Sequence, residues 1–191
     1  MWTGLWPLRP PPQPDELLTS WITRLAHGLG LRPVNLLEIV WPDGCDFTAL
    51  DWAAEPELLA FLAERTDQPV GVVAGMQLKL GGDWSEFLHQ NWNGAALQFC
   101  PACLSEAVPY FRRGWRLAFW RVCHVHCLAL LDACSRCGSA VRFDELFPAD
   151  RGICLCRNCG EDLCHSQQRP VVAQTAVRLV ELQQRLAAFV L

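Results

Sequence analysis

Four short pairs of soft donors run through the middle of the chain: Cys100-Pro-Ala-Cys103, Cys123-His-Val-His126, Cys134-Ser-Arg-Cys137 and Cys156-Arg-Asn-Cys159. A gap of two residues lets both side chains of a pair reach one ion while the backbone amides between them turn toward the sulfurs. Zinc takes four such ligands in a tetrahedron, commonly from two pairs separated by a loop. Taken in order, Cys100 and Cys103 go with Cys123 and His126, and Cys134 and Cys137 go with Cys156 and Cys159. Both separations are close to the loop length of paired zinc knuckles. Gly138 and Gly160 each follow the second cysteine of a pair, where freedom to take positive φ lets the chain turn away. The pattern predicts two structural Zn²⁺ per chain.

A disulfide framework is the competing use of so much cysteine. Eleven cysteines cannot all pair, and a chain of this length buries a core without staples. Met1 to Pro7 has neither a basic stretch nor a long apolar core, so a cytoplasmic chain with reduced thiols is expected. Cys45, Cys127, Cys154 and Cys164 are left over, as buried thiols. The spacing leaves two choices open: Cys127 in place of His126, and Cys154 or Cys164 in place of a member of the last pair. A zinc deaminase would need H-x-E followed by P-C-x-x-C, whereas Gln90 and Asn91 follow His89 and Phe99 precedes Cys100. A four-thiolate iron centre matches the last two pairs by ligand type, but the neighbouring set of three cysteines and a histidine suits zinc.

The chain is 51% hydrophobic with nine tryptophans, a globular composition. No apolar run is long enough to span a membrane. The formal net charge of −4 becomes more negative once seven thiolates ionise around two dications, which disfavours a role built on non-specific phosphate attraction.

The elements that hold the donors follow from periodicity. Leu8 to Pro14 reads as an extended lead-in over the surface. Asp15 is expected to cap a helix from Glu16, with Leu17, Leu18, Trp21, Ile22 and Leu25 as its apolar stripe and Gly28 and Gly30 as its stop. His27 reads as a solvated helix-end histidine. Pro33 opens a second helix through Val40. Glu57 to about Arg65 and a segment from Pro69 through Leu78 read as helix, turn, helix, with Gly81-Gly82-Asp83 closing the unit. The second of these helices offers valines where a DNA-reading helix needs polar side chains, so packing or docking is its expected use.

Between the first two knuckles, Arg112, Arg113, Arg116 and Arg121 alternate with five aromatics. This segment is either a partner or nucleic-acid face or an aromatic core with an arginine rim. Trp115 and Trp120 are expected inside, Arg112 and Arg113 outside. From Pro170 a last helix carries Val172, Ala176, Leu179, Leu182, Leu186 and Phe189 as an apolar stripe, expected to pack back on the body. The resulting expectation is a mainly α chain with small zinc-bound β and loop modules. Residues 1-82 form a helical domain with a helix-turn-helix-like unit at about 56-80. Residues 83-191 form a domain of two tandem zinc ribbons with the closing helix at 170-191.

Several stretches together resemble the TniQ family of transposition proteins. They are Phe99-Cys-Pro-Ala-Cys-Leu-Ser-Glu106, Tyr110-Phe-Arg, Trp115-Arg-Leu, Cys123-His-Val-His-Cys-Leu-Ala-Leu-Leu131 and Cys134-Ser-Arg-Cys-Gly138. Pro14 to Ala26 is similar to that family's opening helix, and Met76-Gln-Leu to the close of its helix-turn-helix. One departure stands out: the family has a small residue after the histidine of the second knuckle, where this chain has Cys127. The resemblance implies a non-enzymatic adaptor of target selection between a recognition element and a TnsC-type AAA+ ATPase. In some relatives the recognition element is a guide-RNA effector complex. It also implies that nucleic acid is met within that assembly, and a homodimer is compatible with it. Roughly thirty residues after the last knuckle are too few for a separate DNA-reading domain, which favours the short, adaptor-only type. The alternative is a zinc-ribbon regulator that binds DNA alone through its helix-turn-helix. No P-loop or G-x-S-x-G motif argues for an enzyme.

Overall fold

The computed structural model describes residues 4–80, 84–91, 94–142, 144, 146–149 and 151–191. Gly81-Gly82-Asp83 and the expected domain boundary at residue 82 lie outside the described residues. The elements are α1 (Leu18–Gly28), α2 (Pro33–Val40), α3 (Leu50–Ala53), α4 (Pro56–Thr66), α5 (Val70–Ala74), a ribbon of β1 (Gln90–Asn91) and β2 (Gly94–Ala95), α6 (Pro101–Leu104) and α7 (Ala173–Ala187). The fold is mainly helical with few strands, and the cysteine-rich second half is built from turns closed by single bridges.

The helical half packs around α1, which is buried on nearly every side from Leu18 to Ala26. Leu36 and Leu37 of α2, Leu58 and Leu62 of α4 and Val73 of α5 close over Trp21, Ile22 and Leu25. The proline-rich lead-in runs across α1. Trp21 donates its indole N–H to the Pro10 carbonyl at 2.9 Å, and Arg24 reaches the Pro11 carbonyl at 3.3 Å. Ahead of it, Trp6 is 1% exposed and meets Phe61 edge-on.

The start of α1 differs from the expectation. Asp15 does not cap it: its φ is +61° and its carboxylate pairs with Arg113 instead. The first-turn amides of a helix need acceptors, and here they come from far along the chain. Asp51 of α3 accepts from the Thr19 amide at 3.0 Å through Oδ1 and from its hydroxyl at 3.0 Å through Oδ2. The Leu17 amide donates to the Phe111 carbonyl at 2.9 Å, and the Ser20 hydroxyl accepts from the Phe111 amide at 3.0 Å. This lacing draws the cysteine-rich half onto α1. Leu17 and Leu78 belong to the same core as Phe99, Phe111, Trp115 and the buried cysteines.

α4 and α5 meet through a tight turn at Asp67, which takes φ +58°. α5 is five residues long, shorter than the expected run to Leu78. Met76 and Leu78 follow it as buried, non-helical anchors. Pro69 and two glycines limit it: Pro69 supplies its N-cap, and Gly71 and Gly75 have the poorest helix propensity after proline.

α7 also departs from its expected stripe. It buries Ala176, Gln183 and Ala187, while Val177 (55%), Leu182 (53%), Leu186 (42%) and Phe189 (76%) are exposed. A buried glutamine decides the rotation. Gln183 Oε1 accepts from the Arg121 and Val122 amides at 2.7 and 2.8 Å, and its Nε2 donates to the Val122 carbonyl at 2.9 Å.

Candidate metal centres

Three of the four knuckles share one turn. The fifth residue of each donates its amide to the carbonyl of the first: Cys127 to Cys123 at 2.9 Å, Gly138 to Cys134 at 2.9 Å, Gly160 to Cys156 at 2.8 Å. That fifth residue has φ of +52°, +70° and +72° respectively. A bridge flanks each turn, Val122↔Ala129, Ala133↔Ala140 and Leu155↔Asp162. The remaining knuckle is helical instead, because Cys100 precedes α6 with Pro101 at its first position.

The turns bring the predicted donors together in the expected sets. In the first, Cys103 Sγ lies 3.5 Å from Cys123 Sγ, and His126 Nδ1 lies 3.7, 3.3 and 3.8 Å from the sulfurs of Cys100, Cys103 and Cys123. In the second, Cys134 Sγ lies 3.7 Å from Cys159 Sγ, and Cys137 Sγ lies 3.7 Å from Cys156 Sγ. A tetrahedron with zinc–sulfur bonds of about 2.3 Å has edges of about 3.8 Å, so both sets match in size.

Their electrostatics point the same way. Cys123 is held well below the usual thiol range by hydrogen bonds from Cys100 and Cys103. Cys100 gains from Cys103 but, opposed by Cys123 and burial, is pushed up to about 11. Three sulfurs this close cannot all ionise against one another in a buried site, and a dication removes the conflict. In the second set, a bond from Ser139 holds Cys137 down to about 6 while burial pushes Cys156 up to about 12.

The surroundings differ between the sets. Cys100, Cys103 and Cys123 are 0, 4 and 0% exposed, whereas Cys137 is exposed and Cys159 half-buried. His126 turns Nε2 toward Glu106 Oε1 at 3.8 Å, the arrangement that orients a ligating imidazole. Cys127 is exposed and stands outside both sets. It occupies the glycine-like position of the turn, while His126 is the side chain that stands with the three sulfurs.

The arginine segment corrects a further expectation. Arg112 is 8% exposed, with its guanidinium 4.8 Å from the Tyr110 ring centroid. Burial works against its charge, yet Tyr110 and Cys103 hold its pKa above the ordinary value. Arg113 is half-buried, pairing with Asp15 at 3.1 Å and donating to the carbonyls of Gly75 and Leu191 at 2.8 and 3.0 Å. Arg116 is 4% exposed and binds Asp51 Oδ2 through Nε and Nη2 at 3.0 and 2.8 Å. Of the four, Arg121 alone is exposed. Gly114 explains the inversion: a Cβ there would stand 2.7 Å from the Trp120 ring, so the chain lies flat on that tryptophan and its neighbours turn inward. Trp115 and Trp120 are buried as expected.

His27 is likewise half-buried and partnered, not a freely solvated helix end. Its Nε2 lies 3.3 Å from the Leu146 carbonyl, and its ring crowds the space beside Gly152. Burial lowers its pKa from 6.5, with the Leu146 carbonyl working the other way.

Asp51, the carboxylate that joins α1, α3 and Arg116, carries no motif that marks it in the sequence. Its signal was faint: an acid set between Leu50 and Trp52, in a chain whose central arginines needed counter-charges. No helix among the described residues is long and apolar enough to cross a membrane.

A family model described as TniQ matches residues 7–130, about two thirds of the chain. No curated protein matches it.

Proposed function

This chain belongs to the TniQ family of transposition-associated proteins, and from that premise we propose that it is a non-catalytic targeting adaptor holding a TnsC-type AAA+ ATPase at a chosen site. The observation that carries this reading is the closure of both donor sets. Each has four protein ligands, and four-ligand zinc is structural, since catalytic zinc keeps a position open. Cys100, Cys103, Cys123 and His126 would hold one Zn²⁺, and Cys134, Cys137, Cys156 and Cys159 the other. Each ion would supply cross-linking charge that pins two knuckles together.

With Arg112, Arg113 and Arg116 engaged inside the protein, the partner face is better sought at Arg121 and the exposed side of α7. Gln183 ties Arg121 to α7, and Val177, Leu182, Leu186 and Phe189 present apolar surface there. Arginine beside large apolar side chains is typical of interface hot spots. A guide-RNA effector complex remains the recognition element that the family resemblance suggests, with nucleic acid met inside the assembly. The helix-turn-helix reading of α4 and α5 favours docking over base reading, because the five residues of α5 are Val70, Gly71, Val72, Val73 and Ala74 and offer no polar side chain to a base edge.

Co-sedimentation with a TnsC-type ATPase on DNA, with and without ATP, tests the reading. We expect ATP-dependent co-assembly by the wild type, and a loss of tenfold or more in affinity for Arg121→Ala combined with Leu182→Glu, from about 1–2 kcal/mol at each position. Tight, sequence-selective binding to bare duplex by the isolated protein, with a steep salt slope, would instead establish the stand-alone regulator.

A further inference from the structure

Two cysteines left over by the tetrahedral sets meet again in the fold. Cys154 closes the turn Gly152–Cys154, and Cys164 sits in the turn Leu163–His165. The ligand atoms of Cys154, Asp162 and Cys164 lie within 4.8 Å of one another. Cys154 is 0% exposed and directs its thiol to the Leu104 carbonyl at 3.6 Å. Asp162 Oδ1 accepts from the Cys164 amide at 2.9 Å, which fixes its carboxylate beside that sulfur. Arg151 Nη2 lies 3.6 Å from Cys164 Sγ while holding the Leu104 carbonyl at 2.5 Å.

We propose that Cys154, Asp162 and Cys164 form a third site, for a divalent, sulfur-preferring cation of the zinc type. Two thiolates and a carboxylate are a donor set that such an ion accepts, and three protein ligands leave one position for water. The charges balance: the donors carry three negative charges, a dication leaves one, and the Arg151 guanidinium offsets it. A disulfide would use the two sulfurs alone, whereas the Asp162 carboxylate is also held beside the Cys164 sulfur. The ion would pin both turns to the end of α6, beside the first tetrahedral set. With fewer ligands, it binds more weakly than the ions of the other two sets.

The test uses the full chain with Zn²⁺ or Co²⁺ alone, read by native mass spectrometry and by iodoacetamide footprinting. The wild type is expected to take up one more divalent ion than Cys164→Ser, and that ion should shield Cys164 from alkylation. Asp162→Asn keeps an acceptor for the Cys164 amide and guards against a folding failure in the cysteine variant. It should weaken the last-bound ion by about tenfold or more while the tighter ions stay. Equal ion counts in wild type and both variants would overturn the site. So would a peptide map under non-reducing conditions that joins Cys154 to Cys164.

Discussion

At the residue scale, the second knuckle sets a test. Cys127 stands at φ +52° in a position that Gly138 and Gly160 fill in the sister turns, and a side chain there carries a left-handed penalty of about 1–2 kcal/mol. Cys127→Gly is expected to keep the metal content and raise stability by about 1 kcal/mol in urea unfolding, whereas His126→Ala should release one ion on metal analysis. Retention of every ion by His126→Ala, with loss in Cys127→Gly, would reverse the ligand assignment. His27 gives a pH prediction. Its folded pKa lies below 6.5 because it is buried, so the unfolded chain takes up a proton first as pH falls. The stability it contributes is present above pH 6.5 and is lost as pH drops below that value. His27→Gln should flatten the decline of melting temperature as pH falls below 6.5, relative to wild type. An unchanged slope would mean that the ring takes up its proton over the same pH range in both states.

At the scale of elements, α1, α3 and the arginine segment meet in one buried ion pair. Asp51 is 0% and Arg116 4% exposed, so removing either partner strands a charge inside the protein at a cost of about 3–5 kcal/mol. Arg116→Ala and Asp51→Ala should each lower the unfolding free energy measured in urea by that order, and the double variant should cost much less than their sum. Additive losses would show that the two groups act separately. Arg113 has a different part: it ties Asp15, the end of α5 and Leu191 together. Its replacement is expected to loosen the chain ends, not to remove a docking contact.

Across the whole molecule, the two donor sets differ in access, and the ions should leave in order. Three sulfurs of the first set are no more than 4% exposed, while the second has Cys137 at the surface. A chelator should therefore extract one tetrahedrally held ion faster than the other, and Cys134→Ser should abolish the fast phase alone. Loss of the slow phase in that variant would reverse the order. The donor sets were legible in the sequence because ligand type, spacing and the glycine after a knuckle are local properties of a few neighbouring residues. The helices α1, α2 and α4 were legible for the same reason, since an apolar period and a proline at a first turn act over short range. The burial of Arg112 and Arg116, the long-range cap that Asp51 lends to α1 and the rotation of α7 around Gln183 were not. Each depends on which distant group supplies a counter-charge or an acceptor, and a charged or amide side chain reads as surface until that partner is known. The meeting of Cys154 with Cys164 belongs with these. Their separation in the chain says nothing of a site, and only the packing of two turns against α6 brings them together.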